Sequence, residues 1–189
     1  IIKNIKLNLI GRHNILNSAA AVALCLHIGV KINIIKKSLG RFTGIQRRLT
    51  KVFSIQEREF FDDYAHHPTE IKFVLDGVEK VYKKYEKVCI FQPHRVSRLK
   101  DLRKEFSFAF KKANIVILCP VYTAGEKIQL GFNYLNFAKD IIKNSKVKLF
   151  IVNDNYQLAK FLKSNMYGNK IVIGMGAGTI SNWIRKLPD

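Results

Sequence analysis

A few short stretches of the chain concentrate the residue types able to do chemistry. In "DDYAHHPTEI", Asp62 to Ile71, acids, a tyrosine and two adjacent histidines crowd together. Adjacent histidines usually point apart, and a metal ion would need further His or Cys supplied from elsewhere, so a dedicated metal site is disfavoured. Pro68 and Glu70 fit the first turn of a helix, where a missing N–H costs nothing and a carboxylate meets the positive end of the helix dipole. That leaves Asp62, Asp63, Tyr64, His66 and His67 without a structural reason. In "FQPHRVSRL", Arg95 and Arg98 lie three apart where a strand gives way to a helix. Two guanidinium forks there would anchor a carboxylate. The ordinary alternative is Ser97 as a helix cap with both arginines in solvent, and the anchor is favoured because Gln92, Pro93 and His94 precede it at a sheet edge.

Three further stretches are weaker. "FTGIQRRL" sets Arg47 and Arg48 beside a glycine, equally consistent with a phosphate contact and with a solvated basic pair. "GRHNILN" puts Asn14 and Asn17 on one helix face, where an amide could read the edge of an adenine. Spacing alone favours a helix cap at Asn14 and a surface residue at Asn17. "GMGAG", Gly174 to Gly178, follows a strand and precedes a helix as a nucleotide loop would, but the dinucleotide fingerprint is incomplete, which favours close packing.

The elements that must carry these residues follow from hydrophobic periodicity. Helices are expected over Asn14 to Ile28, stopped by Gly29, and over Ile32 to Leu39, stopped by Gly40. A domain boundary then falls near Gly44 to Gln46, dividing the chain into 1–45 and 46–189. Beyond it, strands are expected at Thr50 to Ile55, Phe60 to Asp62, Val88 to Gln92, Ile115 to Cys119, Lys148 to Val152 and Lys170 to Gly174. Helices are expected at Pro68 to Tyr85, Ser97 to Ala113, Phe132 to Lys143, Tyr156 to Lys163 and Thr179 to Lys186. Runs such as "VCIF", "IVIL" and "IVIG" are apolar throughout, as strands covered on both faces must be. Their alternation with helices gives an α/β fold with a mostly parallel sheet, in which ligands gather at the carboxyl ends of the strands. The polar clusters after Phe61, Phe91, Cys119 and Ile173 all lie at such ends and can share one rim.

Composition narrows the class. The chain has 189 residues, 48% of them hydrophobic, enough for a packed core. The net charge of +19 would suit nucleic acid or an anionic membrane. Lysine far outnumbers arginine, however, and is spread along every segment, which reads as solvated faces, so no nucleic-acid partner is expected. The longest apolar stretch, Ser18 to Val30, is too short to span a bilayer and contains His27, and no secretory signal precedes it. Cys25, Cys89 and Cys119 have no paired spacing and read as buried thiols, consistent with a cytoplasmic protein. The sequence opens abruptly on "IIKNIKLNLIGRHN", without Met and with no acid before Glu57, which suggests a piece of a larger protein.

In this order, "GRHNILNSAAA", "FTGIQRRL", "DDYAHHPTEI", "FQPHRVSR", "VYTAGE" and "GMGAGTI" resemble the C-terminal part of the Mur ligase family, over nearly the whole chain. The resemblance implies a Rossmann-like domain over 46–189, preceded over 1–45 by the helical end of a truncated ATPase domain. It implies an ATP-dependent ligase of peptidoglycan precursor synthesis that activates UDP-N-acetylmuramate as an acyl phosphate for attack by L-alanine. By resemblance, His13, Asn14 and Asn17 belong near adenine, Arg47 near the nucleotide phosphates, and Asp63 and Tyr64 at the ribose. His66, Arg95 and Arg98, with Tyr122 and Glu126 close by, would line the L-alanine and muramoyl side. Val96 and Thr123 depart from the family's usual Tyr and Pro. No G-x-x-x-x-G-K-[ST] loop occurs in this sequence, so the phosphate cradle, the Mg ligands and the UDP-binding domain would have to come from elsewhere. The chain by itself is then expected to be inactive, with the missing domains as its partners. Alternatives are a related ligase that salvages murein tripeptide, against which "PHRVSR" argues, and a basic nucleic-acid-binding module.

Overall fold

The computed structural model describes residues 4–9, 12–126 and 132–187. The chain divides into two compact units, Ile1–Ile45 and Gln46–Asp189.

The smaller unit holds two helices, α1 (Arg12–His27) and α2 (Ile32–Arg41). α1 begins two residues earlier than the periodicity predicts, so Asn14 lies inside its first turn and not at the cap. Gly29, at φ +84°, closes α1 by donating to the Leu26 carbonyl at 3.0 Å. α2 runs through Gly40 to Arg41, because a single helical glycine costs only about 1 kcal/mol. Ile15, Leu16 and Leu24 of α1 are exposed, and Ile5, Leu7, Leu9, Ile15, Val22 and Leu26 line an open apolar groove.

The larger unit is a six-stranded sheet in the order β1-β2-β6-β3-β4-β5. Its strands are β1 (Thr50–Ile55), β2 (Arg58–Asp63), β3 (Glu86–Phe91), β4 (Ile115–Leu118), β5 (Lys148–Ile151) and β6 (Lys170–Met175). Only β1 is antiparallel; it pairs with β2 across a short turn and its register shifts between Lys51 and Phe53. The remaining pairings are parallel, as the apolar strand runs require. The helices are α3 (Pro68–Val81), α4 (Val96–Asp101), α5 (Arg103–Ala109), α6 (Tyr134–Ser145), α7 (Asn155–Asn165) and α8 (Ile180–Arg185). α3, α5 and α6 cover one face of the sheet, where Phe91, Phe106, Phe110 and Phe137 are all fully buried. Each such ring contributes roughly 1.5–3 kcal/mol relative to exposure. α7 and α8 cover the other face through Leu158, Leu162, Ile180 and Ile184.

The one helix expected over Ser97 to Ala113 is two, broken at Leu102 (φ −112°, ψ 24°). Neither Gly nor Pro marks the break, so periodicity ran across it. The expected start of the next helix at Phe132 moves to Tyr134, because the Asn133 side chain caps it by accepting from the Asn136 N–H at 2.9 Å.

Candidate functional site

Parallel order sets β2, β6, β3 and β4 side by side, so the segments that follow them emerge along one edge. After β2, the chain turns into α3 through a reciprocal cap. The His67 ring nitrogen Nδ1 accepts from the Thr69 N–H at 3.3 Å, and Glu70 Oε2 accepts from the N–H groups of His67 at 3.2 Å and His66 at 3.0 Å. Burial alone would raise the Glu70 pKa, but these donors and the His66 ring hold it below its ordinary value. His67 is thereby accounted for as the cap of α3. Histidine is an uncommon cap, which is why the sequence did not reveal it.

His66 lies on the other side of the turn. Its Nδ1–H donates to the Tyr64 carbonyl at 2.9 Å. Four rings follow one another along the edge: Tyr64 to His66 at 5.3 Å, His66 to His94 at 5.6 Å, and His94 to Tyr122 at 5.5 Å. His94, which the sequence placed at the sheet edge without a role of its own, accepts from Arg98 Nη1 at Nδ1 (3.1 Å), and the same Nη1 donates to the His94 carbonyl (3.1 Å). Arg98 is donor-only, so His94 must be neutral to accept. Partial burial, followed by the charges of Arg98, His66 and Arg95, lowers the His94 pKa and favours that state.

Arg95 is half exposed, with φ +71° and ψ 130°, a backbone conformation that non-glycine residues rarely hold. Its N–H donates to the Tyr122 carbonyl at 2.8 Å, while the Tyr122 N–H donates to the Pro93 carbonyl at 2.8 Å. His94 and Tyr122 form an isolated parallel bridge, so the ladder of β3 and β4 resumes beyond the strands. Glu126 accepts from the Ser97 hydroxyl at 2.6 Å and the Ser97 N–H at 3.2 Å, and lies 4.0 Å from Arg95 Nη1.

The remaining residues singled out in the sequence are placed as follows. Asp63 is buried, with Oδ2 accepting from the Leu49 N–H and Oδ1 from the Ala65 N–H, both at 2.7 Å. Burial pushes its pKa up to about 6 against these hydrogen bonds. Arg47, at φ +62°, sends Nη2 to the Gly176 carbonyl at 2.5 Å and stacks its guanidinium 4.6 Å from the Tyr64 ring. Its Nε lies 4.0 Å from Asp62, which is fully buried and also accepts from Ser181 Oγ at 2.5 Å and Arg185 Nη2 at 3.2 Å. Both Asp63 and Arg47 thus hold the segment before β1 against the carboxyl ends of β2 and β6. Arg48, by contrast, is exposed. In the smaller unit Asn14 is buried and Asn17 exposed; the side chain of His13 lies outside the described residues.

The "GMGAG" run is a close approach of backbones. A Cβ on Gly176 would sit 2.7 Å from the Gln92 carbonyl oxygen, and one on Gly178 would sit 2.5 Å from Gln92 Oε1 and 2.6 Å from the Tyr122 ring. Gln92 fills the cleft beneath, accepting from the Ile180 N–H at 3.0 Å and donating to Thr179 Oγ1 at 2.9 Å. Among the described residues no three of His, Cys, Asp and Glu cluster closely enough for a metal ion, and no helix is long and apolar enough to cross a membrane.

The arrangement therefore presents two guanidinium groups, an imidazole and two exposed tyrosines along one rim. Residues 47–178 match the family described as Mur ligase, glutamate ligase domain. The chain is 65% identical over 188 residues to UDP-N-acetylmuramate–L-alanine ligase of Pelagibacter ubique, covering 100% of this chain and 40% of that protein. The enzyme of the same name from Ruthia magnifica is 39% identical over 180 residues, covering 93% and 38%. Among solved structures, the UDP-N-acetylmuramate-alanine ligase of Thermotoga maritima superposes with a TM-score of 0.80 at 28% identity, over 99% of this chain and 39% of that one. A murein peptide ligase from Psychrobacter arcticus shares the fold, with a TM-score of 0.71 at 20% identity. The chain spans about two fifths of the length of these relatives and belongs to the Mur ligase family.

Proposed function

We propose that this chain is the C-terminal part of a UDP-N-acetylmuramate:L-alanine ligase, and that its rim receives L-alanine beside the nucleotide. The observation that carries the proposal is the placement of Arg95 and Arg98 on the same rim as His66 and Tyr64, in a chain 65% identical to such an enzyme. In the proposed reaction, ATP as substrate converts the muramoyl carboxylate to an acyl phosphate, and the alanine amine displaces phosphate to form the amide.

The residues of this chain bind and orient. Arg95 and Arg98 hold the alanine carboxylate; their fork geometry fixes the direction of the amine, and fixing a nucleophile is where such sites gain most. The His66 Nε2 lone pair accepts a hydrogen bond from that amine and Tyr122 closes the same side. Tyr64, backed by the Arg47 guanidinium, faces the ribose, with Asp63 holding the turn that presents it. Arg48, the exposed neighbour of Arg47, is available to the phosphates. Asn14 and Asn17, with His13, take the adenine side. The phosphate cradle and the Mg ligands belong to sequence outside this chain, so the chain alone does not ligate.

The experiment is a chimera in which this chain replaces the matching 188 residues of the Pelagibacter ubique enzyme. Phosphate release from ATP that requires both UDP-N-acetylmuramate and L-alanine is expected. Release that requires a murein tripeptide instead would assign the chain to the salvage ligase, and none with either substrate would refute the proposal.

A further inference from the structure

The resemblance groups Glu126 with the substrate-binding residues, yet its carboxylate is already engaged. Oε1 accepts from the Ser97 hydroxyl at 2.6 Å and Oε2 from the Ser97 N–H at 3.2 Å, so both oxygens face the first turn of α4. The segment that delivers it is a tight turn: the Glu126 N–H donates to the Thr123 carbonyl at 3.1 Å, with Ala124 at φ +52° and Gly125 at φ +85°. Two positive φ angles in succession define the turn type that reverses a chain with least splay. The same segment contributes the Tyr122 carbonyl that accepts from the Arg95 N–H at 2.8 Å. Arg95 is thus held on its amino side by Tyr122 and on its carboxyl side, through Ser97, by Glu126. It occupies φ +71°, a conformation that costs on the order of 1–3 kcal/mol and persists only where its surroundings enforce it.

We propose that Glu126 is a positioning residue: by tying Ser97 to the loop after β4, it holds Arg95 in the strained backbone conformation that aims its guanidinium at the amino-acid carboxylate. The proposal rests on the function proposed above and reassigns one residue within that site. The polar groups that meet Glu126 among the described residues belong to the start of α4, the Ser97 hydroxyl and the Ser97 and Val96 N–H groups, and Arg95 Nη1 at 4.0 Å is near enough to feel its charge without being tied down. Donor groups around it hold the carboxyl below its ordinary pKa, so it stays ionised.

Two measurements test this. In the chimera, Glu126→Ala is expected to raise the KM for L-alanine roughly tenfold, the factor carried by one charge-assisted hydrogen bond. kcat and the KM for ATP should stay within about twofold. Glu126→Gln, which still accepts from Ser97, should recover most of the loss, and in an Arg95→Ala background Glu126→Ala should add nothing. Losses that add in that background, or a fall in kcat with KM unchanged, would overturn the proposal, the first by showing that Glu126 meets substrate itself. The second measurement needs no activity. In the 189-residue chain, Glu126→Ala should abolish protection of the Ser97 amide against hydrogen exchange and shift the Arg95 amide resonance. An unchanged pair of resonances would overturn the proposal whether or not the chimera turns over.

Discussion

Replacing Gly176 with alanine should destabilise the larger unit by an amount the geometry sets. The new Cβ would lie 2.7 Å from the Gln92 carbonyl oxygen and 3.2 Å from both the Gln92 Cβ and the Cγ2 methyl of Ile180. Backbone at the end of β3 cannot retreat, because the Gln92 N–H is bonded to the Met175 carbonyl at 2.9 Å. Overpacking of this kind costs about 1–3 kcal/mol. The conformation at φ +152° adds about 1–2 kcal/mol for a residue with a side chain. Together these give about 3 kcal/mol. With a urea m-value of about 2 kcal/mol/M, the midpoint falls by about 1.5 M. Gly168 is the control: its φ is +74°, but a Cβ there would meet nothing within 4 Å, so Gly168→Ala carries only the conformational part, about 0.5 M. Trp183 on α8, the one tryptophan of the sequence, packs against the core of this unit and reports its unfolding by fluorescence. If the Gly176→Ala shift is no larger than that of Gly168→Ala, the close approach of the two backbones is not what requires glycine.

Two further outcomes follow from the buried ionisable groups. Asp63 has a folded-state pKa of about 6 against an ordinary value of 3.8, so it favours folding most at low pH. Its contribution falls by about 3 kcal/mol as pH rises from 4 through 6, and the Leu49 and Ala65 amide resonances should titrate with a midpoint near 6. Cys89 and Cys119 are buried and burial raises both thiol pKa values, Cys119 to about 12, whereas Cys25 is half-buried. A disulfide reagent should therefore label one thiol promptly, label the other two only after unfolding, and lose the fast phase in Cys25→Ser.

The α/β class and the rim were legible because they rest on patterns that tertiary context reinforces. Wholly apolar, β-branched runs such as Ile115–Leu118 that alternate with helices read as buried parallel strands, and parallel strands put their following segments on one edge. What stayed hidden depends on partners far along the chain. Nothing near Asp63 says that its oxygens will go to Leu49 and Ala65, nor does "QRR" say that Arg47 turns inward to Gly176 while Arg48 stays out. His94 was placed at the sheet edge but given no role, because its importance lies in the arginine four residues later, which it meets only once α4 starts at Val96. Glu126 was placed by resemblance alone, when its position opposite Ser97 gives it a structural partner first.

The place of β6 has a consequence for how the sheet is made. The strand that completes the centre of the sheet is the last of the six to leave the ribosome. Until Lys170–Met175 appears, β2 and β3 each expose an unpaired edge, and Lys170 must find Glu86, 84 residues earlier. The Ser181 contact that satisfies buried Asp62 spans 119 residues. Long-range pairing of this kind is slow, and open edges invite association with other chains. A nascent chain stopped before Lys170 would thus lack the middle of its sheet, not its margin, and should depend on chaperones more than its size suggests.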